Sequence, residues 1–343
     1  MRAGPLASHP GPAGLLCPLA NSGARGGFRG GTRAGIGAAG DAESRAWRKV
    51  AGTARKRPRS GRSRKAAGYA PAVSDYETIL FEERDGVAWV TLNRPDVLHA
   101  FNSTMQEELA AAWQRIMRTD ELRCAVLTAT GDKAFCVGID RAETIGSDEV
   151  AGGGKPGYVT PWWYDDPGRR LGPKANHLWK PVIAAVNGMA CGGAFYLLGE
   201  VDFIIAADHA TFFDPHVTYG MTAAYEPIQL LQKMPLQEVL RMALLGGHER
   251  MSAERAREVG LVSQVVPGEE LLDTATWAAE AIASAPPLVI QGTQRAIWMA
   301  QEVARSQAID LAYLYTNIGT DPQVLFANQQ EFAAGRRVPW RLR

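Results

Sequence analysis

The sequence predicts a mixed α/β core followed by a helical C-terminal section, and three observations predict it. Short runs of β-branched and aromatic residues alternate with helical periodicity through the first part of the structured region. From Tyr225 onward helical spacing dominates, interrupted by one strand-like run from Val262 to Val266. Between these regions lies NGMACGGAFYLLGEVD, Asn187 to Asp202, which follows the apolar run Val182 to Val186 as a strand, a glycine turn and a helix start. Glycines at such a turn let backbone N–H groups approach a ligand without a Cβ in the way, and the helix start adds positive partial charge. The segment suits an oxyanion, although a glycine pair alone is equally a packed turn.

The chain has 343 residues with 46% hydrophobic content, enough for a substantial core. Its net charge of +1 hides an asymmetry. Residues 1–70 carry eleven arginines and three lysines against Asp41 and Glu43, a net +12, so the other 273 residues carry −11. Cys17, Cys124, Cys136 and Cys191 show no metal-ligand spacing. A reducing, cytoplasmic compartment without a disulfide framework or a metal site is expected. No apolar run is long enough to span a membrane.

In chain order, residues 1–72 are rich in Gly, Ala, Arg, Ser and Pro and form an expected disordered basic tail. Its cluster from Arg55 to Lys65 fits three readings: nucleic-acid or anionic-surface binding by charge, organelle targeting, or translated flanking sequence without a selected role. It lacks the interleaved aromatics that single-strand stacking uses, so nucleic acid is not the expected partner. Residues 73–265 form the expected α/β core and 266–343 the helical section.

Within the core, Thr78 to Glu82 and Val87 to Leu92 flank Asp85-Gly86 as a hairpin, and Asn93-Arg94-Pro95 stops the second strand. Asn102 or Ser103 caps a helix in which Met105, Leu109, Trp113 and Ile116 share a face. A strand follows from Cys124 to Thr130, and then KAFCVGID, residues 133–140, places Gly138 after a short apolar run. Residues 146–175 read as a long mobile loop, whose Trp162, Trp163 and Tyr164 suggest a cover for a site or a contact with another subunit. Strands are expected at Val201 to Ala206 and Thr211 to Phe213. Helices are expected over 225–233, 235–245, 252–259, 269–285, 288–304, 306–317 and 321–334.

Several of these segments fall in a familiar order. NRPDVLHAFNSTMQEEL, KAFCVGID, NGMACGGAFYLL, VDFIIAADHATF and MSAERAREVGLVSQVVP together resemble the crotonase superfamily, the enoyl-CoA hydratase and isomerase family, over about residues 76–343. The resemblance implies a crotonase-like spiral of ββα units and a homotrimer or a dimer of trimers. It also implies an acyl-CoA substrate that brings coenzyme A without a separate cofactor, and a place in fatty acid metabolism. By the same resemblance, the backbone N–H groups of Ile139 and Gly193 hold the thioester oxygen, and groups near Val97, Ala100, Val137 and Gly138 cradle the pantetheine and adenine. Asp140 is read as a structural partner for a nearby cation, and His99, where the family has asparagine, as structural.

The sequence departs from the family where chemistry is concentrated. The two glutamate positions of the usual hydratase are occupied by Tyr196 and His216. A hydration that uses two carboxylates at those places is therefore not supported. His216 can exchange a proton near neutral pH if a carboxylate orients it, and Glu226 and Asp214 are the candidates. Tyr196 can donate a hydrogen bond or simply wall the pocket. His177 reaches the site only if the long loop folds over it. The expected activity is that of an enoyl-CoA hydratase or isomerase, with His216 as acid or base. The alternatives are a CoA-thioester or β-diketone hydrolase using His216 with Glu226, and a non-catalytic CoA- or RNA-binding family member.

Overall fold

The computed structural model describes residues 76–142 and 166–343. Its strands are β1 (Ile79–Arg84), β2 (Val87–Leu92), β3 (Cys124–Ala129), β4 (Ala134–Cys136), β5 (Val182–Val186), β6 (Met189–Cys191), β7 (Phe203–Ala207), β8 (Thr211–Phe213), β9 (Met251–Ser252) and β10 (Gln264–Val266). They form two sheets, a six-stranded one in the order β1-β2-β3-β5-β7-β10 and a four-stranded one in the order β4-β6-β8-β9. Only β1–β2 and β8–β9 pair antiparallel; the other pairings are parallel. Consecutive strands alternate between the sheets: β3 and β4, β5 and β6, β7 and β8 each place one strand in the large sheet and the next in the small one. The chain thus winds as a spiral.

Burial explains the sequence of the large-sheet strands. All residues of β3 and β5 are buried, as parallel strands covered on both faces require, so their sequences run apolar rather than alternating. The first helix, α1 (Ser103–Arg118), begins as the sequence predicts: the Asn102 side chain accepts a hydrogen bond from Met105 N. Met105, Leu109, Trp113 and Ile116 form its buried face. The expected hairpin is present with Asp85 and Gly86 at positive φ.

The loop expectation over 146–175 is corrected at its C-terminal end. Gly168–Leu171 form a short helix, α2, and Leu171 is fully buried. Pro167, at φ −55°, is set for a helix start, and Trp113 Nε1 donates to the Leu171 carbonyl at 2.8 Å. Trp162, Trp163 and Tyr164 lie outside the described residues, as does the basic tail.

The remaining helices are α3 (Ala194–Leu198), α4 (Tyr225–Leu230), α5 (Leu236–Leu245), α6 (Ala253–Glu258), α7 (Leu271–Ala283), α8 (Pro287–Glu302), α9 (Arg305–Gly319) and α10 (Pro322–Ala333). Asp202 ties α8 to the core, accepting from Gln294 Nε2 at 2.8 Å, Trp298 Nε1 at 2.7 Å and the Val182 N–H at 2.7 Å. No helix among the described residues is long and apolar enough to cross a membrane.

Gly188, between β5 and β6, shows how tightly the two sheets meet. A Cβ there would lie 2.6 Å from the Lys133 carbonyl carbon and 2.7 Å from Ala134 N, both backbone atoms. Gly188→Ala is expected to lower stability by about 1–3 kcal/mol in a urea melt, because the backbone before β4 must shift.

Candidate functional site

The parallel strands β4, β6 and β8 are adjacent, so the segments leaving their carboxyl ends meet. Those segments carry Gly138-Ile139, Gly192-Gly193 and Asp214-Pro215-His216. In open α/β sheets this is where ligands bind. Gly138 and Gly192 have φ of +88° and +54°, in the positive range that favours glycine, so the sequence permits both turns.

Ile139 and Gly193 lie where the two glycine turns meet. Ile139 forms an isolated parallel bridge with Phe101, in which Phe101 N–H donates to the Gly138 carbonyl and Asp140 N–H donates to the Phe101 carbonyl, each at 2.9 Å. The ladder therefore uses the groups on either side of Ile139, and the Ile139 N–H points away from the partner strand. Gly193 precedes α3, and the edge of the Phe101 ring fills the place a Cβ would take, 2.6 Å from it. A Cβ on Gly138 would be 3.0 Å from Gly193 N, so the two glycine turns touch. The N–H groups of Ile139 and Gly193 have no hydrogen-bond partner among the described residues.

Around these donors lies a buried polar cluster. His216 Nδ1 contacts Asp214 Oδ1 at short range, and His216 Nε2 is 3.6 Å from Glu226 Oε1. Both carboxylates considered from the sequence are thus in place, one at each imidazole nitrogen. Asp214 and Glu226 are 1% and 4% exposed. The imidazole is beside the second turn: its Cε1 is 3.5 Å from the position of a Gly192 Cβ. Tyr196, on α3, donates its hydroxyl to Asp166 Oδ2 at 2.8 Å and sits edge-on to Phe101 with ring centroids 6.5 Å apart. The Asp166 contact was not visible in the sequence, where Asp-Asp-Pro-Gly reads as loop; its one signal is an Asp two residues before a helix-starting glycine.

The electrostatics follow from burial and pairing. The hydrogen bond to Asp214 raises the His216 pKa, partly offset by desolvation, with the charges of Asp214 and Glu226 adding to the rise. Desolvation raises the Glu226 pKa, against the opposing charge of His216. Burial first, then Glu226 and Asp166, raise that of Tyr196, so its hydroxyl stays protonated. One ligand-type atom from each of Asp214, His216 and Glu226 falls within 4.8 Å of the others. Both imidazole nitrogens face carboxylates.

A folded-state His216 pKa above its ordinary value means that the imidazolium stabilises the fold. That contribution is fully present below about pH 6.5 and is lost as the pH rises through the raised value. Asp214→Asn is expected to flatten this part of the melting temperature against pH curve, measured by differential scanning calorimetry.

The other sequence-singled residues have structural surroundings. His99 is buried, its Nδ1 accepting from Arg94 N at 3.1 Å and its Nε2 facing the Thr130 carbonyl at 2.9 Å. Asp140 pairs with Arg94 at 2.9 Å, the cation partner expected. His177 is exposed at φ +61°. The N–H groups of Val97 and Ala100 bond within their own turn, to the carbonyls of Arg94 and Val97 at 3.2 and 3.1 Å.

Comparison with known proteins agrees with this architecture. The model of the enoyl-CoA hydratase/isomerase family matches residues 82–318. The (E)-benzylidenesuccinyl-CoA hydratase of Thauera aromatica is 33% identical over 245 residues, covering 71% of this chain and 91% of that protein. The 1,2-epoxyphenylacetyl-CoA isomerase of Escherichia coli is 34% identical over 244 residues, covering 71% and 90%. A crystal structure of an enoyl-CoA hydratase/isomerase from Mycobacterium paratuberculosis superimposes with a TM-score of 0.67 at 34% identity, covering 78% of this chain and 99% of that one. With the spiral of two sheets and the ordered motifs in place, the chain belongs to the enoyl-CoA hydratase/isomerase family and is an acyl-CoA-processing enzyme of that type.

Proposed function

We propose that this enzyme moves a proton at the acyl chain of a CoA thioester while the Ile139 and Gly193 N–H groups hold the thioester oxygen. The observation that carries this reading is His216, set between Asp214 and Glu226 and adjoining the second glycine turn. Two N–H donors aimed at one oxygen stabilise the enolate that forms when a proton leaves the α-carbon or water adds at the β-carbon. His216 with Glu226 then gives and takes the proton, in place of the two carboxylates of the usual hydratase. Coenzyme A enters as part of the substrate, its pantetheine and adenine passing Val97, Ala100, Val137 and Gly138, and no separate cofactor is required.

A second reading is supported by the same His–carboxylate pair: activation of water for hydrolysis of a CoA thioester or β-diketone. A panel of enoyl-CoA and 3-oxoacyl-CoA esters, including aryl-substituted chains, separates the two. Hydration or double-bond migration with CoA retained is expected; release of free CoA without hydration overturns the first reading in favour of the second.

We also propose a homotrimer. Ile309, Tyr313, Ile318 and Phe326, on the C-terminal helices α9 and α10, are exposed large apolar side chains that a neighbouring copy would cover. Light scattering on the purified protein is expected to give three or six times the mass of one chain. The three described cysteines are free and buried, which supports a reducing, cytoplasmic compartment.

A further inference from the structure

We infer that a cavity of about 420 Å³, bounded by α7, α8 and the turn after α4, is a binding site for a small amphipathic acid: a hydroxy acid of medium chain length whose carboxylate meets Lys233. Lys233, Gln294 and Trp298 line it together with Ile282, Ile290 and Ile297. Its volume falls within the roughly 300–1,000 Å³ of small-molecule pockets. None of Ile139, Gly193, Asp214, His216 and Glu226 lines it, so it is separate from the candidate functional site and does not depend on the proposed reaction.

The carboxylate follows from Lys233. Asp202 is the acid of this region, and its oxygens are already taken. Oδ1 accepts from Gln294 Nε2 at 2.8 Å and Trp298 Nε1 at 2.7 Å, and Oδ2 accepts from Lys174 Nζ at 3.2 Å and the Val182 N–H at 2.7 Å. Lys233 Nζ donates instead to the Val201 carbonyl at 2.7 Å and forms no ion pair among the described residues. An ammonium has three hydrogens, so two are left for a ligand. Lys174 Nζ and Lys233 Nζ each lie 5.4 Å from the centroid of the Trp298 ring, so two cations share one aromatic ring beside one carboxylate. A bound carboxylate supplies a second negative charge. Burial lowers the Lys233 pKa to about 8, with Asp202 opposing the fall and Lys174 adding to it, so the cation is present at neutral pH and lost above it.

The hydroxyl follows from Gln294. This residue is 7% exposed, and its Oε1 is buried with no hydrogen-bond partner among the described residues. Turning the amide over does not relieve it, because the oxygen would then face the Asp202 carboxylate, which accepts from Nε2. An amide oxygen only accepts, so the partner it lacks is a donor. The remaining wall is apolar. Ile290, Ile297 and Trp298 recur with Gln294 at helical spacing on α8, and Ile282 adds to them from α7, which suits a hydrocarbon chain.

The test uses the full chain with ¹³C-labelled isoleucine methyl groups, titrated with 3-hydroxyoctanoate, octanoate and octanol and followed by NMR. Both acids are expected to shift the methyl signals of Ile282, Ile290 and Ile297 saturably. Absence of those shifts, with or without one at Ile139, overturns the inference. Lys233→Met keeps a long side chain without the charge and is expected to weaken octanoate binding by about 10–100-fold. Equal affinity in the variant and the wild type overturns the role of Lys233. The hydroxy acid is expected to bind about 3–10-fold more tightly than octanoate, and Gln294→Met to remove that preference. Equal binding of the two acids to the wild type overturns the hydroxy-acid assignment. If Lys233→Met does not fold, the wild type decides alone: octanol is expected to bind about tenfold or more weakly than octanoate, and octanoate affinity to fall as the pH is raised past about 8. Octanol binding as tightly as the acid, or an affinity unchanged by pH, shows a merely apolar groove and sinks the inference.

Discussion

His216→Gln is expected to lower kcat by about 10²–10⁴-fold while the protein remains folded. Glutamine keeps an N–H that can reach Asp214, which is 1% exposed and would otherwise be left as an unpaired buried carboxylate. What glutamine cannot do is accept and return a proton. Loss of rate without loss of melting temperature would thus isolate the proton transfer from packing. Glu226→Gln should reduce kcat by a smaller factor and shift the pH–rate profile, because His216 keeps Asp214 at Nδ1 and loses the group beside Nε2. Steady-state kinetics on the best ester of the panel decide it: full activity in His216→Gln removes the histidine from the mechanism.

Gly138→Ala is expected to cost about 3–4 kcal/mol of activation free energy, some two to three orders of magnitude in kcat. Two effects act together. At φ +88° an alanine is strained, and its methyl would lie 3.0 Å from Gly193 N and 3.4 Å from the Cys191 carbonyl oxygen. The methyl would crowd the proposed donor and the space where the thioester oxygen would sit. Strain alone predicts a lower melting temperature with an unchanged rate on the surviving folded enzyme. Obstruction predicts a lower kcat with KM largely retained, since part of the proposed CoA contact surface lies elsewhere. Wild-type kcat in a folded Gly138→Ala protein would refute the donor role of this turn.

Much of this was legible in the sequence because the determining physics is local. Val182–Val186 is a run of apolar residues since its strand is covered on both faces. Asn102 marks the start of α1 because it satisfies the Met105 N–H. Gly138 and Gly192 stand where a positive φ favours glycine. The rest depends on contacts made across the chain. β4, β6 and β9 have three, three and two residues, too few to show a period, and exist because neighbouring strands pair with them. Asp166 meets Tyr196 across thirty residues, through a segment whose composition signals only a turn. The sequence named Glu226 and Asp214 as competing partners of His216; the fold gives each its own nitrogen.

The strand order β4-β6-β8 has an evolutionary corollary. Hydrogen-bonded strands lie about 4.8 Å apart whatever their side chains are, so the small sheet acts as a ruler whose marks are backbone positions. The oxygen-holding donors would be read off the first two marks as main-chain groups that substitution of a side chain leaves in place. The proposed acid–base group, His216, follows the third as a side chain. A lineage can therefore replace a glutamate with a histidine at position 216, or with a tyrosine at 196, and try a different proton chemistry against an unaltered electrophile holder. Diversification in this architecture is modular by construction, with the constant part written in the backbone and the variable part in a few side chains facing it.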